Sequence, residues 1–147
     1  MKRRVWYWIT DGLALLALLG ATLFVLLRWG EIPAQVPAHF GAGGEITGYG
    51  SKTGALTPLL VFSWLMSVSM IALGFFPQSW NLPRRTPRAY QAAADGLAVL
   101  RLGMGLFFGY MLLCTALCRG LGAWFLPVLL TVAGGPLAYI LIQSFRR

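Results

Sequence analysis

The chain has 147 residues, a formal net charge of +8, 58% hydrophobic residues and 11% charged ones, with a mean hydropathy of +0.71. That length suits one domain, and the composition excludes an ordinary soluble one. A basic excess of this size is also the mark of nucleic-acid binders, but the placement of the basic residues argues for a different reading.

In chain order, "MKRR" followed by an apolar run has the layout of a secretory signal. The run continues through "LALLALLGATLFVLL" without a convincing small-residue cleavage site, so an uncleaved first span is expected over Trp6 to Leu27. A hydrocarbon core takes about 20 apolar residues. Asp11 is the only charge in this span, and Ala17 with Ala21 gives it a small face. A second span, Ala55 to Phe76, carries no charge. Beyond a loop over 77–96, a third runs from Leu97 to Cys118 with Arg101 as its only charge. Its Gly103, Gly105 and Gly109 permit close backbone approach, read here as packing within the bundle. Cys114 and Cys118 lie one helical turn apart, where a disulfide lacks the necessary geometry, and are read as packing residues. The fourth span, Ala123 to Phe145, holds "AGGPL", where Pro136 cannot donate a backbone hydrogen bond and a kink near Gly134 and Gly135 is expected. The fold class expected is an all-α integral membrane protein, four transmembrane helices in one bundle covering 1–147.

Lys2, Arg3 and Arg4 precede the first span, Arg84, Arg85 and Arg88 lie between the second and third, and Arg146 and Arg147 follow the fourth. Four crossings put all of these on one side, against Arg28, Lys52 and Arg119 on the other. The positive-inside rule then places both termini in the cytoplasm of a multi-pass protein of the inner or plasma membrane. The basic residues report orientation and contact with anionic headgroups of the bilayer, so no nucleic-acid partner is called for. Asp11 and Arg101 approach the membrane from this same side. An ion pair fixing one helix against another, or snorkelling, is the reading for them, with a proton or ion relay as the alternative.

The segment over 30–54 is the informative part. It joins the first two spans on the non-cytoplasmic side and exceeds the usual connection length. Ile32, Val36, Phe40, Ile46 and Tyr49 are apolar anchors that make it an ordered loop. Pro33 and Pro37 restrict its entry, and its glycines permit tight turns. His39, Glu31, Glu45, Tyr49, Ser51 and Lys52 supply polar chemistry. One His with two Glu and no shared-face spacing is not a metal site, and no nucleophile and base recur at a catalytic spacing. "GAGG" lacks the strand, helix and Lys-Ser/Thr setting of a phosphate loop. No cofactor, metal or enzymatic activity is therefore expected.

The stretch "IPAQVPAHFGAGGEITGYGSK" resembles the membrane-embedded domain-of-unknown-function family 1648, on Pro33, Pro37, His39, Phe40, Gly44, Glu45, Gly48, Tyr49, Ser51 and Lys52. The resemblance is concentrated in residues 29–76. Gly41 stands where the family commonly has Asn, and Ile46 with Thr47 where it commonly has Pro-Asp. The same membrane domain forms the N-terminal part of Sdp-type immunity proteins, whose C-terminal module is not recognisable here. The resemblance implies a membrane domain with a shared outer loop, and an immunity or signalling connection.

Three function classes follow. The first is a non-enzymatic protein whose outer loop recognises a peptide, an envelope component or a partner membrane protein through His39, Tyr49 and Lys52. The second is an accessory subunit of a larger membrane complex. The third is a small proton-coupled transporter using Asp11 and Arg101, against which stands the absence of an inverted repeat or a polar stripe across the midplane. The sequence leaves the oligomeric state open.

Overall fold

A computed structural model describes residues 4–83 and 85–145. Lys2, Arg3, Arg84, Arg146 and Arg147, part of the charge asymmetry, lie outside the described residues. The elements in order are helix α1 (Val5–Leu27), strands β1 (Gln35–Phe40) and β2 (Ile46–Ser51), helix α2 (Lys52–Leu73), a 3-10 turn (Pro77–Ser79), and helices α3 (Pro87–Ala116) and α4 (Phe125–Phe145). All four helices are long and apolar enough to cross a membrane. The expected all-α class is thus amended by a two-stranded antiparallel sheet between the first two helices.

The core is a seam between α1 and α3. Helix α1 buries Tyr7, Asp11, Ala14, Leu18, Ala21 and Val25, in alternating steps of four and three. Helix α3 buries Ala94, Ala98, Arg101, Gly105, Phe108, Leu112 and Thr115, in the same steps. This is the spacing of a coiled-coil seam, in which each apolar side chain faces the partner helix along its whole length. The pairing keeps register from end to end: Tyr7 meets Asp95, Asp11 meets Arg101, Gly105 faces Ala14, and Gly109 faces Ala17 and Ala21. The two helices therefore run parallel. A Cβ added to Gly105 would stand 2.7 Å from the Ala14 backbone. In lipid, where neighbouring apolar tails are no worse a solvent than leucine, such close contact is what holds helices together.

Helices α2 and α4 also pack on α3. Gly103 and Gly96 face Val132 and Ile140 of α4. Between α1 and α2, the Trp64 indole donates to Thr22 Oγ1 at 3.0 Å, and Thr22 returns its own proton to the Leu18 carbonyl at 2.8 Å.

The helix boundaries depart from the hydropathy reading where capping chemistry intervenes. Helix α3 starts at Pro87, so the loop expected over 77–96 is shorter and the span expected from Leu97 begins ten residues earlier. Thr86 caps it, its Oγ1 accepting from the Ala89 amide at 3.2 Å. Pro87 occupies the first turn, where its missing N–H costs nothing, and the alanine-rich segment that follows favours helix. Hydropathy senses the apolar layer and is blind to a helix continuing beyond it. Helix α2 likewise starts at Lys52, because Ser51 Oγ accepts from the Gly54 amide at 3.0 Å. It ends at Leu73, short of the expected Phe76, and the Trp80 indole takes up the Leu73 carbonyl at 2.8 Å.

Candidate functional site

The connection between α1 and α2 is a hairpin with a five-residue tip, 41–45. Gln35 pairs with Ser51, Val36 with Gly50, Pro37 with Tyr49, His39 with Gly48 and Phe40 with Ile46, with register irregularities around His39. The tip closes through the Gly41 amide to the Glu45 carbonyl at 2.8 Å and the Gly44 amide to the Gly41 carbonyl at 2.9 Å.

Three attachments fix this hairpin to the helices. Val36 is wholly buried in one cluster with Leu18, Val25, Leu56 and Leu112. Lys52 Nζ donates to the carbonyls of Trp29 at 2.7 Å and Ile32 at 3.1 Å, and lies 5.2 Å from the Trp29 ring centroid. It thereby satisfies carbonyls left open past the end of α1. At the tip, the Leu121 amide donates to the Gly44 carbonyl at 2.6 Å. Gly44 has φ +76°, and a Cβ there would lie 2.3 Å from the Gly122 carbonyl oxygen. This glycine answers two demands at once, a left-handed backbone and contact with a second backbone. The Tyr110 hydroxyl braces the docking loop from below, donating to the Leu121 carbonyl at 2.8 Å.

The residues singled out in the sequence accordingly divide by role. Pro37 and Gly44 are buried, Phe40, Gly48 and Lys52 half-buried, and Ser51 caps α2. His39, Glu45 and Tyr49 are exposed, with Tyr49 at 59%, as is Pro33. The His39 ring rests over Gly48, where a Cβ would meet it at 3.0 Å. The Glu45 carboxylate folds back over Gly41 and Gly43. The sequence reading grouped Lys52 with His39 and Tyr49 as a ligand contact; the geometry separates them, because the Lys52 ammonium is occupied by main-chain carbonyls. Replacing Lys52 with methionine is expected to cost about 1–3 kcal/mol, the penalty for two unsatisfied carbonyls. Chemical unfolding in micelles measures it, and a change below a few tenths would show that the ammonium is not a latch.

Arg101 Nε donates to Asp11 Oδ1 at 2.6 Å, with the two side chains 3% and 6% exposed. The Arg101 guanidinium also lies beside Gly74, which caps the C-terminus of α2. The pair therefore joins α1 and α3 within the seam and meets the end of α2. One cluster there had no place in the sequence reading: the Tyr7 hydroxyl donates to Asp95 Oδ1 at 2.6 Å, and Gln91 Nε2 donates to the same oxygen at 2.9 Å and to Tyr7 Oη at 2.6 Å. Gln91 and Asp95 fell in the supposed loop. The Thr86-Pro87 start and the four-residue spacing that puts both on one helix face were the signals available.

Among the described residues there is no group of three or more His, Cys, Asp or Glu side chains able to hold a metal ion. Cys114 and Cys118 are free thiols.

Residues 16–63 match the family model described as Domain of unknown function (DUF1648). An uncharacterized protein of Archaeoglobus fulgidus is 36% identical over 78 residues, covering 48% of this chain and 43% of the relative. The chain thus spans less than half the length of that relative. No solved structure matches. The match to the DUF1648 model takes in the second half of α1, the whole hairpin and the first half of α2, the part of the molecule where exposed polar residues stand on a braced platform.

Proposed function

We propose that this chain is a non-enzymatic multi-pass membrane protein of the inner or plasma membrane, with both termini in the cytoplasm. Its hairpin stands outside the cytoplasm and recognises a peptide, an envelope component or a partner membrane protein. One observation carries the reading: the hairpin is held at Val36, Lys52 and Gly44, yet presents His39, Glu45 and Tyr49 to the surroundings. A fixed scaffold with an exposed aromatic, an imidazole and a carboxylate binds with little ordering cost. Tyrosine offers a large contact area and a polar tip with few rotors to freeze. The orientation rests on charge: exposed Arg4, Arg85 and Arg88 lie at the end opposite the hairpin. The Gly44 to Leu121 contact supplies a route by which occupancy of the hairpin reaches α4.

Site-specific photo-crosslinking in native membranes tests this. A photoreactive residue replacing Tyr49 is expected to yield a discrete protein or peptide adduct, and the same residue replacing the exposed Val61 of α2 is expected to yield none. Absence of an adduct from position 49 with the protein correctly inserted would sink the proposal.

A second reading, an accessory subunit, draws on α4. Only Pro136 and Ser144 are buried in that helix, and Gly134 and Gly135 have nothing within 4 Å of where a Cβ would stand. A stoichiometric partner that stays bound after Tyr49→Ala and dissociates after Gly135→Leu would favour the subunit reading over recognition by the hairpin.

A further inference from the structure

The hairpin has two outer edges, and they differ. The Lys52 amide donates to the Ala34 carbonyl at 2.8 Å. Opposed residues in an antiparallel ladder alternate between bonded and non-bonded pairs, so Val36 with Gly50 is the next bonded pair. Gln35 with Ser51 and Pro37 with Tyr49 are then non-bonded pairs, and their main-chain groups point away from the partner strand. On β1 that outer edge is covered. Pro37 has no N–H to offer, and the Gln35 carbonyl faces Cys118 Sγ at 3.9 Å, at the end of α3.

On β2 the outer edge is open. Tyr49 presents its N–H and C=O there, and Ser51 its N–H. Among the described residues no hydrogen bond from the helices or loops reaches these three groups. Thr47, Tyr49 and Ser51 are all exposed. Exposed edges are commonly blunted by a charged side chain or a proline, and "ITGYGS" carries neither. The register irregularities around His39 confine the regular part of this edge to residues 49–51. It is short, but it is held in place at Val36, Lys52 and Gly44, so a partner has nothing to order on this side.

We propose that the open edge of β2 takes up an extended segment of a second membrane protein as a third strand. Strand addition presupposes the recognition by the hairpin proposed above and specifies its mode and its partner. Main-chain hydrogen bonds to Tyr49 and Ser51 supply the attachment, and the side chain opposite Tyr49 supplies selectivity. An aromatic or β-branched residue at that position packs on the Tyr49 ring across the new pair. The shortness of the edge selects the source. Three main-chain hydrogen bonds are each modest in water, and a free peptide gives up more freedom than they return. A segment anchored in the same bilayer is already concentrated beside the hairpin, and that loss is largely removed.

The test uses the purified full-length protein in liposomes. Its probe is a short palmitoylated peptide of alternating threonine and valine, and its readout is residue-resolved hydrogen exchange. Exchange at the Tyr49 and Ser51 amides is expected to slow by roughly tenfold, while the Gly50 amide, bonded within the ladder, is unchanged. The same peptide N-methylated at adjacent central residues, which blocks both of its edges, should give no slowing. Tyr49→Phe keeps the main-chain donor and should keep the effect at Ser51. Tyr49→Pro removes that donor at an edge position where the hairpin itself does not use it, and should abolish the effect. The methylated peptide, tested on the wild type, keeps the experiment decisive if Tyr49→Pro does not fold. Three results overturn the proposal: no slowing at 49 and 51, equal slowing by the methylated peptide, or equal slowing by the same peptide without its palmitoyl anchor. Protection of both amides before any peptide is added, rising with protein density, assigns the edge to a second copy of this chain and also overturns it. A photo-adduct from position 49 in native membranes alongside any of these results leaves recognition by the hairpin standing without strand addition; absence of that adduct sinks recognition, and strand addition with it.

Discussion

Replacing Arg101 with leucine is expected to destabilise the folded protein by about 3–5 kcal/mol, the cost of breaking a buried ion pair from one side. Asp11 Oδ1 accepts from Arg101 Nε at 2.6 Å with both side chains almost fully enclosed, so water cannot replace the lost partner. Asp11→Leu alone should cost a similar amount. The double variant Asp11→Leu with Arg101→Leu should recover much of the loss, since a buried pair is often matched by apolar residues of similar volume. The pair's contribution is therefore expected in specificity more than in stability. It sits midway along a seam whose other members, apart from Tyr7 and Thr115 towards its ends, are small or apolar, and a buried polar position is the known device for fixing such a register. Unfolding in mixed micelles gives the energies. Disulfide trapping between Ala21→Cys and Gly109→Cys, whose Cβ atoms would stand 3.7 Å apart, within disulfide reach, reports register in the double-leucine background; full trapping there would show that the pair does not set it.

Gly44→Ala is the second large effect, at about 2–4 kcal/mol. A non-glycine residue at φ +76° costs on the order of 1–2 kcal/mol, and the added methyl would stand 2.3 Å from the Gly122 carbonyl. The backbone must retreat, and the 2.6 Å bond from the Leu121 amide is lost with it, about another 1 kcal/mol. Gly43→Ala, one residue earlier, meets only the far end of the Glu45 side chain and should fall within about 0.5 kcal/mol of the wild type. Limited proteolysis of the hairpin, alongside unfolding, separates an undocked tip from general destabilisation. Equal protection of the two variants would mean that the docking contributes nothing.

How much of this could be read beforehand depended on the range of the forces involved. The four apolar spans were legible because a membrane imposes a length, whereas the start of α3 was not, because Thr86 and Pro87 act through capping. The seam was present as a 4-3 alternation from Tyr7 to Val25, but apolar residues on the other faces of α1 hide it in the sequence. The hairpin had its own signal in "ITGYGS", an alternating run after a glycine-rich turn, and was read only as an ordered loop. Lys52 was placed among ligand contacts because a lone cation in a loop carries no indication that two carbonyls lie beside it. The meeting of Gly44 with Gly122 joins residues far apart in the chain, which no local pattern encodes.

The 120–122 loop lies beyond the DUF1648 match and is made long after the hairpin. Synthesis proceeds from the N-terminus, so the hairpin emerges well before the backbone it rests on. Until Leu121 arrives, the tip has no seat, and the reversal of the chain between α3 and α4 supports a structure begun between α1 and α2. The hairpin thereby becomes a checkpoint of biogenesis: its resistance to protease, appearing only once the 120–122 loop has been made and seated, would mark the moment at which α3 and its outer end have taken their place.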